Sequence, residues 1–181
     1  MWCRRMTAWS SNWRADHVSE AIVPKPGSSM ERVALDAERL GLKIELKVMD
    51  QSTRTAEEAA AACGCEVGQI VKSLVFENAE TGELVLLLVS GDRNADLDYL
   101  SARYMLKLKR CDGRRVRDET GFAIGGVAPI GHTAPIATYL DESLLRHDAV
   151  WAAAGRPDSV FSVDPKALAD AIDPIIVAVM D

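Results

Sequence analysis

Between Thr120 and His132 the chain places four glycines and a proline within thirteen residues, with apolar side chains between them. The run reads Thr120-Gly121-Phe122-Ala123-Ile124-Gly125-Gly126-Val127-Ala128-Pro129-Ile130-Gly131-His132. Glycine weakens helix and strand interiors but lets a backbone take positive φ or approach a ligand closely. Proline fixes φ and removes a hydrogen-bond donor. Such a run suits a rigid loop. It can turn tightly between two strands, or it can present bare backbone N–H groups to a substrate, and the residues alone leave both open.

Around this loop the patterning mixes helix and strand periods. Ser29 is placed to cap a helix over 31–40, where Val33, Ala37 and Leu40 recur at helical spacing and Gly41 supplies a stop. Residues 43–48 alternate as a half-buried strand does. Thr55 with Glu58 fits a capping box before an alanine-rich helix over 56–63. Residues 71–77 and 84–89 are apolar and β-rich, and Asn78 to Gly82 joins them as a hairpin. A helix over 96–104, a short strand near 106–109 and a helix near 113–120 lead into the glycine run. Strands follow at 150–153 and 159–163, then a helix with Pro165 in its first turn, then a last strand over 175–179. Short connections between several strands favour a mixed sheet over a purely parallel one.

A chain of 181 residues is most simply one domain with a substantial core. Residues 1–29 read differently: Trp2, Trp9 and Trp13 follow no period, and Pro24 to Ser29 resembles a linker. The expected division is an N-terminal extension over 1–29 and a domain over 30–181. No apolar run approaches the ~20 residues of a membrane-spanning helix, so a cytoplasmic protein without a membrane partner is the expectation. Cys63-Gly64-Cys65 is too close for an easy disulfide, and no zinc-site spacing is present, so small buried thiols are expected.

The net charge of −6 argues against broad nucleic-acid binding. The cations are unevenly spread, however. Arg103, Lys107, Lys109, Arg110, Arg114, Arg115 and Arg117 fall within fifteen residues. They form either a solvated surface or a patch that touches a few phosphates. Lys72 sits in an apolar strand sequence, where its ammonium must reach the surface or point into a cleft. The chain has neither a G-x-S-x-G elbow nor an H-E-x-x-H metal motif. His132 ends the glycine run, where it can hydrogen-bond the backbone or act as a general base.

Three ordered blocks carry a resemblance. Thr120 to Gly131 resembles the signature of the YbaK-like aminoacyl-tRNA deacylases, a family that includes the editing domain inserted in bacterial prolyl-tRNA synthetase. Val67 to Phe76 is similar to the family's lysine-bearing strand. Val150 to Val163, with Ala154-Gly155-Arg156 near its centre and Asp164-Pro165 after it, is similar to a third family segment. The resemblance covers roughly residues 31–180, and Met30 stands where a compact member would begin. It implies an α+β fold with a curved, mostly antiparallel or mixed sheet flanked by helices.

It also implies a free-standing trans-editing hydrolase that cleaves the ester of a mischarged aminoacyl-tRNA, such as tRNA(Pro) carrying a small amino acid. The implied partners are the aminoacyl-tRNA 3′ end and prolyl-tRNA synthetase; no cofactor or metal is implied. Lys72, Gly125 and Gly126 match the catalytic positions. Thr53, Arg54, Ser73, Ile124, Val127, Pro129, His132 and Gly155 match positions that contact substrate. Asp141 reads as a turn or cap. One departure stands out: the family segment matched by Ala153-Ala154-Gly155 often has serine first, whereas this chain has Ala153 and continues Arg156-Pro157-Asp158. That change and the acidic charge keep a second reading open, a non-catalytic module that binds aminoacyl or nucleotide ends. A third is a hydrolase of another small activated ester.

Overall fold

The computed structural model describes residues 22–49 and 55–180. Helix α1 (Ser29–Arg39) is capped by Ser28, one residue before the expected Ser29: the Ser28 hydroxyl accepts from the Glu31 N–H at 3.2 Å. Met30, Val33 and Ala37 bury one face of α1 in the main core. Strand β1 (Glu45–Val48) follows, then α2 (Ala56–Cys63), capped by Thr55 through the Glu58 N–H and ended by Gly64 in the left-handed region.

The predicted hairpin is β2 (Val71–Asn78) and β3 (Leu84–Ser90), antiparallel with Lys72 opposite Val89. All seven residues of β3 are buried, so it is apolar on both faces. Leu86 and Leu88 join a cluster with Phe122 and Phe161; Leu87 and Val89 join another with Leu100, Val177 and Val179. Each such side chain contributes roughly 1.5–3 kcal/mol by leaving water.

Helix α3 (Leu97–Tyr104), strand β4 (Leu108–Arg110) and helix α4 (Gly113–Thr120) lead to the glycine run. Beyond it lies β5 (Ala137–Asp141), a strand absent from the sequence-based expectations. Asp141 ends β5 and caps a short 3₁₀ turn over Glu142–Arg146 by accepting from the Ser143 N–H. Strands β6 (Val150–Ala153) and β7 (Ser159–Val163), helix α5 (Pro165–Ile172) and strand β8 (Ile175–Val177) complete the chain.

Two sheets result. One has the order β1-β7-β6 and is antiparallel; the other has the order β4-β2-β3-β5-β8. In the larger sheet β4, β2 and β3 are antiparallel, while β5 and β8 run parallel to β3. A bridge between Ile70 and Trp151 joins the sheets. The fold is therefore mixed α and β, as the sequence suggested. No helix among the described residues is long and apolar enough to cross a membrane.

Candidate functional site

At the seam where the start of β2 meets β6, the backbone leaves a cavity of about 330 Å³. Its floor is Ile70 to Leu74, and its walls come from α2, from Trp151 and Ala153 on β6, from Ser159 and Val160 on β7, and from the glycine run. Arg156 and Pro157, from the β6–β7 turn, also face it.

Lys72 reaches this cavity, and its ammonium donates to the Arg93 carbonyl. Burial pushes its pKa below the ordinary lysine value, while the charges of Asp92, Glu57 and Asp141 pull it back up. Asp92 is itself held in place: its carboxylate accepts from the Ser90 hydroxyl at 2.7 Å, and the buried Asp141 carboxylate accepts the Ser90 N–H at 3.2 Å. Ser73 lines the same cavity. Its hydroxyl oxygen is buried and has no hydrogen-bond partner among the described residues. A buried hydroxyl left unpaired costs free energy unless a ligand or water meets it.

The glycine run supplies the opposite wall. Gly125 lies on the cavity with φ of 88°, and its N–H donates to no protein group among the described residues. Ile124 is 65% exposed at the rim, and Val127 is buried on the wall. Gly126 plays another part. Its N–H is spent on the Ala123 carbonyl at 2.9 Å, so it is not a free donor as the sequence suggested. A Cβ at Gly126 would stand 2.9 Å from the Arg156 backbone, so its missing side chain lets the glycine run pack against the β6–β7 turn.

Other expected contacts fall elsewhere. Pro129 and His132 line a separate hollow of about 370 Å³, with Asp36 and Thr138. The His132 ring nitrogens are buried and meet no partner at full hydrogen-bond geometry among the described residues, and the ring packs T-shaped on Phe122 with centroids 5.2 Å apart. Burial drives its pKa down to about 4, against smaller upward contributions from the Ala128 backbone and Asp36. Such an imidazole is neutral and weakly basic near pH 7, and it stands outside the Lys72 cavity. Gly155 is buried beside α1, where its carbonyl accepts from the Ser29 hydroxyl at 2.7 Å, and it is not on the cavity wall. Thr53 and Arg54 lie outside the described residues, as do Trp2, Trp9 and Trp13. Cys63, Cys65 and Cys111 are free thiols and only half-buried, which corrects the expectation of buried ones.

A larger hollow of about 790 Å³, lined by Arg115, Glu119, Thr133 and Ala137 among others, shares no residue with the Lys72 cavity. Its arginine is already paired with Glu77 and Glu119. The smaller cavity is the better chemical candidate, because Lys72, Ser73 and Gly125, whose N–H has no partner among the described residues, line it together. Sequence reasoning missed Trp151, Ser159 and Asp92. Trp151 and Ser159 read only as strand residues, and Asp92 fell between the elements read from the sequence.

Comparison with known proteins identifies the family and the fold. The family model for the aminoacyl-tRNA editing domain matches residues 50–171. The uncharacterized protein YwhH of Bacillus subtilis is 32% identical over 121 residues, covering 67% of this chain and 76% of that protein. A candidate Cys-tRNA(Pro)/Cys-tRNA(Cys) deacylase of Enterococcus faecalis is 30% identical over 115 residues, covering 63% and 70%. A crystal structure described as a candidate trans-editing enzyme for prolyl-tRNA synthetase superposes with a TM-score of 0.79 at 42% identity, over 88% of this chain and 99% of that one.

Proposed function

Because the chain belongs to the aminoacyl-tRNA editing domain family, we propose that it hydrolyses the ester of mischarged aminoacyl-tRNA in trans. The observation that carries this reading is convergence: Lys72, Ser73 and the Gly125 main chain line one cavity. The E. faecalis relative and the crystallographic neighbour point the substrate toward tRNA(Pro), and prolyl-tRNA synthetase toward the role of partner. The reaction belongs in the cytoplasm, where aminoacyl-tRNA is made.

The chemistry needs little. Water adds to the ester carbonyl, the acyl C–O bond breaks, and the ribose oxygen leaves with a proton, giving free amino acid and uncharged tRNA. An aminoacyl ester is already activated, so no nucleophilic triad is required. The Gly125 N–H meets the oxyanion, a donor of the kind typically worth ~10²–10³ in rate. An ammonium has three donors. With one given to Arg93, Lys72 keeps others for the terminal ribose or phosphate. A neighbouring ribose hydroxyl positions the water.

Selectivity follows from size. A synthetase pocket discriminates by only ~1–3 kcal/mol per methylene, so smaller amino acids are mischarged. Ile70, Val127, Ala153 and Val160 are apolar walls of a cavity of about 330 Å³ that must also admit ribose, which favours a small aliphatic acyl group.

A panel of mischarged tRNAs tests the proposal. Turnover of at least one by wild type, lost in Lys72→Ala, is expected. No turnover on any of them, or full activity in Lys72→Ala, would overturn it.

A further inference from the structure

The seven cations between Arg103 and Arg117 are not equivalent in the folded chain. Lys107 pairs with Glu80 at 2.8 Å and Lys109 with Glu77 at 2.7 Å. Arg115 pairs with Glu77 at 2.7 Å and Glu119 at 2.6 Å. The Arg103 guanidinium lies over the Tyr104 ring at 5.8 Å. Arg110, Arg114 and Arg117 remain, all exposed and without an ion pair among the described residues.

These three stand beside the Lys72 cavity. Strand β4 pairs antiparallel with β2, placing Arg110 opposite Phe76. The chain beyond Arg110 therefore runs back toward Leu74 on the cavity floor, two residues or ~7 Å along β2. Helix α4 begins there, and a Cβ on Gly113 would stand 3.0 Å from the Ile124 side chain at the cavity rim. At helical spacing, Arg117 lies one turn from Gly113 on that side, with Arg114 next to it. The intervening Asp112 carboxylate is occupied, accepting from the Arg114 and Arg115 N–H groups at 2.8 and 3.4 Å. Asp118 is the remaining acidic neighbour on this face.

We propose that Arg110, Arg114 and Arg117 seat the sugar–phosphate backbone of the tRNA acceptor strand as it enters the cavity. This rests on the hydrolase reading above. Guanidinium groups fit phosphate geometry and position a nucleic acid without reading its bases. On a chain of net charge −6, a local patch beside the cavity also steers a polyanion to one face.

The test compares wild type, the triple variant R110Q/R114Q/R117Q and the control K107Q/K109Q on two substrates. These are a mischarged tRNA and its 3′-terminal aminoacyl trinucleotide. Binding of uncharged tRNA is followed in parallel against salt. The triple variant is expected to lose about tenfold or more in kcat/KM on tRNA and keep its rate on the trinucleotide. Its log–log salt slope for tRNA binding is expected to flatten by about 2, as for three phosphate contacts to a single strand. Equal losses on both substrates, an unchanged salt slope, or an identical effect in the control overturns the proposal. If wild type cuts neither substrate, the hydrolase reading fails, and the binding arm still decides whether the patch holds tRNA.

Discussion

Asp36 on α1 accepts the Gly131 N–H at 2.8 Å, fixing the far end of the glycine run from a helix early in the chain. One turn earlier on the same helix, Arg32 donates to the Gly121 carbonyl at 2.6 Å and to the Gly131 carbonyl at 3.3 Å, and it lies 5.0 Å over the Phe122 ring. Two side chains of α1 thus clamp both ends of the loop that carries Gly125. Hydrogen bonds to charged groups contribute ~1.5–3 kcal/mol each. Arg32→Met is expected to lower stability by about that much and to raise amide exchange across residues 122–131. Urea unfolding and hydrogen exchange measure the two effects.

Ser73→Ala separates function from stability. The hydroxyl has no protein partner to lose among the described residues, so the variant should unfold at the same urea concentration or a higher one. Its deacylation rate should fall about tenfold, in line with the loss of a ~1–1.5 kcal/mol substrate contact.

The glycines at 125 and 126 should respond differently to alanine. At Gly125 the nearest atom to an added Cβ is Pro157 Cγ at 3.9 Å, so the cost is only that of φ at 88°, roughly 1–2 kcal/mol. At Gly126 the Cβ meets backbone at 2.9 Å, and the loop must move away from the β6–β7 turn. Gly126→Ala should therefore be the more destabilising and should distort the cavity. Thermal melts of the pair check the order.

His132 makes stability depend on acid. Its folded pKa of about 4 lies below the ordinary 6.5, so the unfolded chain binds more protons between those values. Stability is full above pH 6.5 and falls as pH drops toward 4, by up to about 3 kcal/mol. His132→Leu should remove this contribution and leave the pH dependence of deacylation unchanged. Urea titrations at several pH values, with matched rate profiles, read both.

Lys72 makes the opposite exchange of stability for function. Because burial lowers its pKa, the folded state carries an unfavourable cation below that lowered value, and the unfavourable term is relieved as pH rises from there toward 10.5. Lys72→Met should hold or raise the melting temperature at neutral pH while deacylation falls ~10²-fold or more. A melting temperature well below wild type would show that the ammonium is a structural tie to Arg93 instead.

Much of the framework was legible because local signals and burial agree. Leu84 to Ser90 is continuously apolar because it is covered on both faces, and Thr55 caps α2 through the expected N–H. Strand β5 escaped because it buries only Leu140 and Asp141 and takes its order from parallel neighbours distant in sequence. The site divided in the same way. Lys72, Ser73, Ile124, Gly125 and Val127 were named from the chain and line one cavity. Adjacency along a loop does not say which side each residue faces, and this loop passes between two hollows, sending Pro129 and His132 to the other one. Trp151 and Ser159 came from strands whose pairing no short motif announces.

The bridge between Ile70 and Trp151 gives the cavity an unusual ownership. Its aperture is lined from both sheets, and those two frames share one buried cluster, in which Leu86 and Leu88 meet Phe161. A change in how those frames lean together would retune the admissible acyl size without altering any residue on the wall. Shifts of specificity in such a protein can therefore arise from substitutions deep inside that shared core.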